Sequence, residues 1–151
     1  MLELAREADW AAVNRLSVQV HDLHVRLCPK LYCHSDEPLP KAVFDQAIHD
    51  RMLYVAKLEG IVVGYVLLAI AARDGNGIVP HKEMRLEAIC VDEDFRGQGI
   101  GRAMLTDVRA LAKAFRCREI RLGVYPQNDG AVAFYQKCGF LIRSIQMQMD
   151  V

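Results

Sequence analysis

The chain has 151 residues, enough for one domain with a real hydrophobic core, and its 19 lysines and arginines balance 19 aspartates and glutamates. That balance gives no charge-based reason to expect nucleic acid or an anionic membrane as partner. Any phosphate-binding site must therefore be local.

Five cysteines, Cys28, Cys33, Cys90, Cys117 and Cys138, are odd in number and form no C-x-x-C pair, which argues against a disulfide framework or zinc ribbon and for reduced thiols in a cytoplasmic protein. The longest apolar stretch, Ile61 to Ala72, is broken by Gly64 and is shorter than the roughly 20 residues of a membrane helix. A soluble single domain, 1–151, is expected, with no repeat or composition break.

In chain order, Leu2 to Arg6 reads as a short strand, and Asp9 as the N-cap of a helix with Val13, Leu16, Val20, Leu23 and Leu27 on one face. Cys28 to Pro40 is a proline-bearing loop, and Lys41 to His49 a second helix. Met52 to Ala56 and Ile61 to Ala72 flank Glu59-Gly60 and predict a hairpin. Arg73 to Gly77 marks the next turn, and Arg85 to Val91 a strand. Gly99 to Phe115 has the clearest helical spacing. Glu119 to Val124 predicts a strand, Gly130 to Lys137 a helix stopped at Gly139, and Phe140 to Met149 a last strand. The order predicts a mixed α/β sheet with helices on its faces.

Chemistry concentrates between the Arg85–Val91 strand and the best helix, in Phe95-Arg96-Gly97-Gln98-Gly99-Ile100-Gly101-Arg102. Free N–H groups and the positive dipole end at a helix start favour an anion. Glycines let a phosphate approach the backbone, and Arg96 and Arg102 add charge. The dinucleotide fingerprint fails because Arg102 stands where its last glycine belongs, and no Lys-Ser or Lys-Thr pair follows for a P-loop.

Arg96-x-x-Gly99-x-Gly101 resembles the R/Q-x-x-G-x-G/A signature of the Gcn5-related N-acetyltransferase (GNAT) superfamily. Asn128, Ala131, Phe134-Tyr135 and Gly139-Phe140 continue the pattern in order. The resemblance covers about Met52 to Phe140; Glu93 stands where many relatives have proline. It implies a mostly antiparallel sheet in which two parallel strands, Glu87–Val91 and Glu119–Val124, splay apart, with helices on both faces. It further implies acetyl-CoA as acyl donor, without a metal: its pyrophosphate on the N–H groups of Gln98 to Arg102, its pantetheine arm along Ile89, Cys90 and Val91, and an N–H near Val91 polarising the thioester carbonyl. Asn128, Ala131, Phe134 and Tyr135 complete the cofactor side.

The resemblance also makes Tyr135 the acid that meets the departing thiolate, as against a packing residue beside Phe134. Glu87 interrupts an apolar strand, and alternation groups it with Arg85, Ile89 and Val91, as a base or anchor for the amine. The alternative for it is a surface pair with Arg85 or Arg121. Relatives that acetylate diamines carry an acidic residue in a similar Leu-Glu stretch. His21, His24 and Tyr32 are expected to line the acceptor pocket. His21, His24, Cys28 and Cys33-His34 lack a compact zinc spacing. Cys90 and Cys138 read as small buried hydrophobes more readily than as acyl-cysteine nucleophiles. The functional expectation is transfer of an acetyl group by direct attack of a primary amine, small molecule or peptide, in a ternary complex. The rival is a non-catalytic acyl-CoA sensor, and a third reading gives the loop another phosphate ligand. The Phe140–Met149 edge predicts a homodimer.

Overall fold

The computed structural model describes residues 1–151. Strand β1 (Leu2–Leu4) leads through one 3-10 turn into α1 (Trp10–Leu27), followed by α2 (Lys41–His49). The strands β2 (Leu53–Leu58), β3 (Ile61–Arg73) and β4 (His81–Val91) form a meander. Then come α3 (Ile100–Ala114), β5 (Glu119–Arg121) and α4 (Asp129–Lys137). The sheet runs in sequence order, antiparallel except for the β4–β5 pair.

The meander follows from turn chemistry. Glu59 and Gly60 both have positive φ, 49° and 81°, the geometry of a tight hairpin whose twist matches its strands. Strands β3 and β4 then pair over almost their full lengths, which requires Gly64. A Cβ there would stand 2.8 Å from the Cys90 carbonyl and 2.9 Å from Met104 Sδ.

Both sheet faces are covered, by α1 and α2 on one side and α3 and α4 on the other. Val13, Leu16 and Phe44 pack with Leu53, Val55, Tyr65 and Cys90 on the first. On the second, Ile100, Met104, Leu105 and Val108 pack with Val63, Val66, Met84 and Leu86. Phe44, Leu16, Met84 and Met104 are wholly buried, a contribution of roughly 1.5–3 kcal/mol each relative to exposure.

Four expectations need correction. Asp9 stands at the N-cap position of α1 as expected but makes no capping bond: its carboxylate accepts from the Arg6 N–H and pairs with Lys57. The first strand stops at Leu4, and β5 at Arg121. Residues 141–151 form no strand and no ladder, although their apolar pattern suggests one.

Candidate active site

The parallel β4–β5 ladder holds for three pairs, from Glu83 with Glu119 to Arg85 with Arg121, and then stops. Beyond Arg85 the β5-facing side of β4 has no strand partner, although β4 continues to Val91. Glu83 anchors the base of this fork. Its fully buried carboxylate accepts from Arg121 Nη1 at 3.1 Å and from Arg85 Nε at 3.3 Å, with Arg73 Nε at 4.0 Å. Burial opposes its charge, but these guanidinium groups, Arg121 foremost, hold its carboxyl below the usual range.

A bulge lies beside the fork. On β3, Leu67 and Leu68 are consecutive, whereas their partners on β4 are Ala88 and Leu86, so Glu87 is the extra residue. The bulge resets the side-chain alternation. Leu86, Ile89 and Val91 all pack toward the α3 side, whereas Ala88 and Cys90 pack toward α1. Arg85 therefore does not share a face with Ile89 and Val91 as simple alternation predicts, and Glu87 stands at the break between the two registers. Glu87 is exposed and makes no ion pair; the surface pairs considered for it are absent because Arg85 and Arg121 both serve Glu83.

At the tip of β4 the chain turns into α3. The buried carboxylate of Asp92 accepts from Arg15 Nη1 at 2.6 Å and Gln19 Nε2 at 3.2 Å, which ties the turn to α1. Burial works against that charge, yet Arg15 and Gln19 keep the carboxyl below its ordinary range. Arg96 Nε donates to the Val91 carbonyl at 2.9 Å, folding the loop back over the strand end. Gly97 and Gly99 have φ of 76° and 81°, and a Cβ on either would touch nothing, so the backbone conformation and not packing requires glycine there. Gly101 differs: a Cβ on it would lie 3.2 Å from the Phe134 ring and 3.6 Å from Val91 Cγ2.

Every backbone N–H from Gly97 through Arg102 lacks an acceptor within the chain; the first amide to find one is Ala103, which donates to the Gly99 carbonyl at 3.0 Å. A 15-residue helix thus presents its dipole end and a consecutive run of donors beside the open edge of β4. The residues of this cradle fit an anionic, phosphate-bearing group.

Helix α4 carries Tyr135 to the same side. Asn128 Oδ1 accepts from the Ala131 N–H at 3.2 Å and starts the helix, so both residues have a capping role. Gly139, at φ 93°, ends it: its N–H donates to Gln136 and that of Phe140 to Tyr135, each at 3.0 Å, a paired closure of the last turn. Tyr135 lies between Phe134 and Phe140, with ring centroids 5.4 and 5.6 Å away. Burial, with the nearby Cys138 thiol, pushes its phenol up to about 12, so it is a proton carrier at neutral pH.

Across the fork, His21, His24 and Tyr32 come together as expected, and Tyr125 joins them. The hydroxyls of Tyr32 and Tyr125 are hydrogen-bonded at 2.5 Å, His24 stacks on Tyr32 at 5.6 Å, and His21 Nε2 meets the Cys33 carbonyl at 2.7 Å. Desolvation, then the neighbouring His21, lowers the His24 pKa. The bond to Tyr32, then burial, raises Tyr125 to about 12. Sequence reasoning missed Tyr125, which directly follows the expected strand Glu119 to Val124 and meets its partner Tyr32 only across the fold. It also missed Asp92 and Glu83, because a strand acid reveals its partners only once the register is known.

Other expectations about reactive groups can be judged from their surroundings. Cys90 is buried with its thiol donating to the Leu16 carbonyl at 3.4 Å, and burial pushes it up to about 11, a poor nucleophile. His34 is taken by Asp36 and Asp22 at 2.9 and 3.3 Å. His81, Glu83 and Glu119 bring ligand atoms within 4.8 Å of one another, but guanidinium groups of Arg121, Arg85 and Arg143 already occupy the carboxylates.

A sheet forked between parallel strands, with an anion cradle at the helix that follows the fork, is the arrangement that the resemblance to the GNAT superfamily implies. The sequence model of the acetyltransferase (GNAT) family matches residues 17–140, and the chain belongs to that family. Among curated relatives it is 32% identical over 109 residues to the N-alpha-acetyltransferase RimI of Mycobacterium tuberculosis, covering 70% of this chain and 63% of that protein. It is 34% identical over 87 residues to a spermine/spermidine N(1)-acetyltransferase of Bacillus subtilis, covering 54% of each. The chain thus spans less than two thirds of these relatives. Of solved structures, a mutant of the BH1408 protein from Bacillus halodurans superposes with a TM-score of 0.95 at 26% identity, over 100% of this chain and 99% of that one. An aminoglycoside N-acetyltransferase AAC(6')-Iy in complex with CoA shares the fold at a TM-score of 0.71 and 17% identity, covering 100% of each.

Proposed function

We propose that the protein is an acetyl-CoA-dependent N-acetyltransferase acting on a primary amine by direct attack in a ternary complex. The observation that carries this reading is the run of unpaired N–H groups from Gly97 to Arg102 beside the open edge of β4. These amides, with Arg102 and the Arg96 guanidinium, hold the pyrophosphate, and the strand-free side of β4 from Ile89 to Val91, where Arg96 Nε already takes the Val91 carbonyl, receives the pantetheine arm as a strand would. When bound, acetyl-CoA supplies the thioester whose acyl carbon the amine attacks.

The chain's own groups then have defined tasks. An amine of lysine type has a pKa near 10.4 and must be deprotonated before it attacks, and Glu87, on the bulge at the fork, anchors the ammonium and accepts its proton directly or through water. Tyr135 donates a hydrogen bond to the sulfur as charge builds there. With its phenol near 12 it stabilises the thiolate without giving the proton up fully. His21, His24, Tyr32 and Tyr125 form the aromatic wall of the acceptor pocket, a surface suited to a cationic amine. A RimI protein and a polyamine acetyltransferase among the relatives make peptide N-termini and polyamines the first amines to try.

The test is calorimetric titration with acetyl-CoA, followed by thiol release against a panel of amines. Micromolar binding with amine-dependent thiol release is expected. Binding without turnover on any amine would favour the sensor reading, and no binding would remove the cradle's assignment. Tyr135→Phe should lower turnover about 10²-fold or more while leaving acetyl-CoA affinity within twofold, a change to which a pure sensor is indifferent.

A further inference from the structure

Between the tip of β4 and the start of α3 the backbone changes character at Gly97. Every amide from Asp92 to Arg96 has an acceptor within the chain. Asp92 donates to the Val63 carbonyl at 2.8 Å, Phe95 to the Asp92 carbonyl at 2.9 Å and Arg96 to the Glu93 carbonyl at 3.4 Å. Glu93 donates to Gln19 Oε1 at 3.1 Å, and Asp94 to the Asp92 carboxylate at 3.4 Å. From Gly97 to Arg102 no amide has one. The segment Asp92–Arg96 is thus the fixed platform from which the free donors start. The bonds of Asp94, Phe95 and Arg96 lie inside it and set its shape. Its placement rests on β3 through Val63 and on α1 through Arg15 and Gln19.

Arg15 and Gln19 stand one helical turn apart on the same flank of α1. Arg15 supplies charge, with Nη1 at 2.6 Å from the Asp92 carboxylate. Gln19 supplies direction. Its Nε2 donates to Asp92 Oδ1 at 3.2 Å while its Oε1 accepts from the Glu93 N–H, so one carboxamide grips the side chain of one residue and the backbone of the next. The reverse orientation would set its NH2 group against that N–H and its oxygen against a carboxylate, so the partners decide which end is which. The buried Asp92 has Arg15 and the Asp94 N–H as well, so its charge stays satisfied without Gln19.

We propose that Gln19 is a positioning residue of the anion cradle: its carboxamide fixes the Asp92–Arg96 segment against α1 and thereby aims the N–H groups of Gly97 to Arg102 at the pyrophosphate of acetyl-CoA. It acts through the loop and not by touching the ligand. This inference rests on the cofactor assignment made above. Donors that are already aimed need no ordering when the anion arrives, which is the source of affinity in a preorganised site. Helix α1 also carries His21 and His24, so a single helix locates both the cradle and the aromatic cluster across the fork.

Calorimetric titration of the full chain with acetyl-CoA tests the proposal. Gln19→Met keeps the length of the side chain and removes both bonds, while Arg15 still neutralises Asp92, so the variant should fold. Its dissociation constant is expected to rise roughly tenfold with the number of sites per chain unchanged. Gln19→Glu keeps an acceptor for the Glu93 N–H but turns a second carboxylate toward Asp92, and should weaken binding more than Gln19→Met does. In thiol release with an amine that the wild type accepts, KM for acetyl-CoA should rise in Gln19→Met while kcat stays within about twofold, a split that loss of folded protein does not produce. Affinity within about twofold of wild type in either variant overturns the proposal. So does a fall in site number or thermal midpoint with the dissociation constant unchanged, which would make the carboxamide a structural tie only. Wild-type protein that does not bind acetyl-CoA overturns the cofactor assignment and this inference together, whereas binding that the variants share with wild type overturns this inference alone.

Discussion

Gly99 shows how a single residue serves the cradle. Its φ of 81° is expensive for any L side chain, and a methyl group there would meet no protein atom, so Gly99→Ala should cost about 1 kcal/mol of stability. If acetyl-CoA lies over these amides, the same change should weaken its binding at least tenfold, measured by calorimetry. Glu83 works in the opposite sense, as a wholly buried charge whose value depends on its partners. Glu83→Gln keeps one acceptor oxygen but removes the charge that Arg121 and Arg85 share and turns an NH2 group toward them, and should destabilise by roughly 2 kcal/mol in chemical denaturation. The pH dependence follows from the lowered carboxyls of Glu83 and Asp92. Their folded pKa values lie below the unfolded ones, so their stabilisation is complete above about pH 5 and is lost as pH falls through the depressed values. Denaturation midpoints between pH 6 and pH 3 check this, and Glu83→Gln should flatten the acid limb. Arg96, Gly99, Gly101 and Tyr135 could be singled out from sequence because a motif occupies consecutive or helically spaced positions. Glu83 and Tyr125 could not, since their partners lie 38 and 93 residues away in the chain.

The elements were readable wherever a local signal closes them. Gly139 marks the end of α4, and Glu59-Gly60 the β2–β3 turn, because glycine is at ease in the left-handed region each requires. The length of β5 was not readable, since Leu122 and Val124 keep a strand pattern where β4 has already diverged and no ladder remains to join. The bulge at Glu87 was equally silent: nothing in Leu86-Glu87-Ala88 says that β3 offers one residue fewer. Helices α2 and α3 end in the same paired closure as α4, but with Arg51 and Arg116, each at φ 59°, in place of glycine. Arg51→Gly and Arg116→Gly should therefore each stabilise by about 0.5–1 kcal/mol, raising the thermal midpoint by a few degrees. Gly64→Ala should do the reverse by a larger amount. Its added methyl would meet the Cys90 carbonyl at 2.8 Å, and rigid neighbours at the centre of the β3–β4 ladder leave it little room to move.

For the whole molecule, the order of elements was enough to give a mixed sheet with helices on both faces, since a meander followed by strand-helix-strand admits few arrangements. The aromatic cluster across the fork was harder to read, because it joins α1, the loop after it and the segment beyond β5, and no local pattern connects the three. The uneven depth of burial has a further consequence. All 27 buried residues lie at or before Ala112, so the chain consists of a strongly cooperative body and a weakly held cap. The N–H donors of Gly97 to Arg102 belong to the body, while Tyr135 rides on the cap. On warming, the cap's amides should exchange with solvent at free energies well below that of global unfolding. If the proposed function holds, a protein that still grips its anionic ligand but has lost its acid would then exist over an interval of temperature, idle before it is denatured.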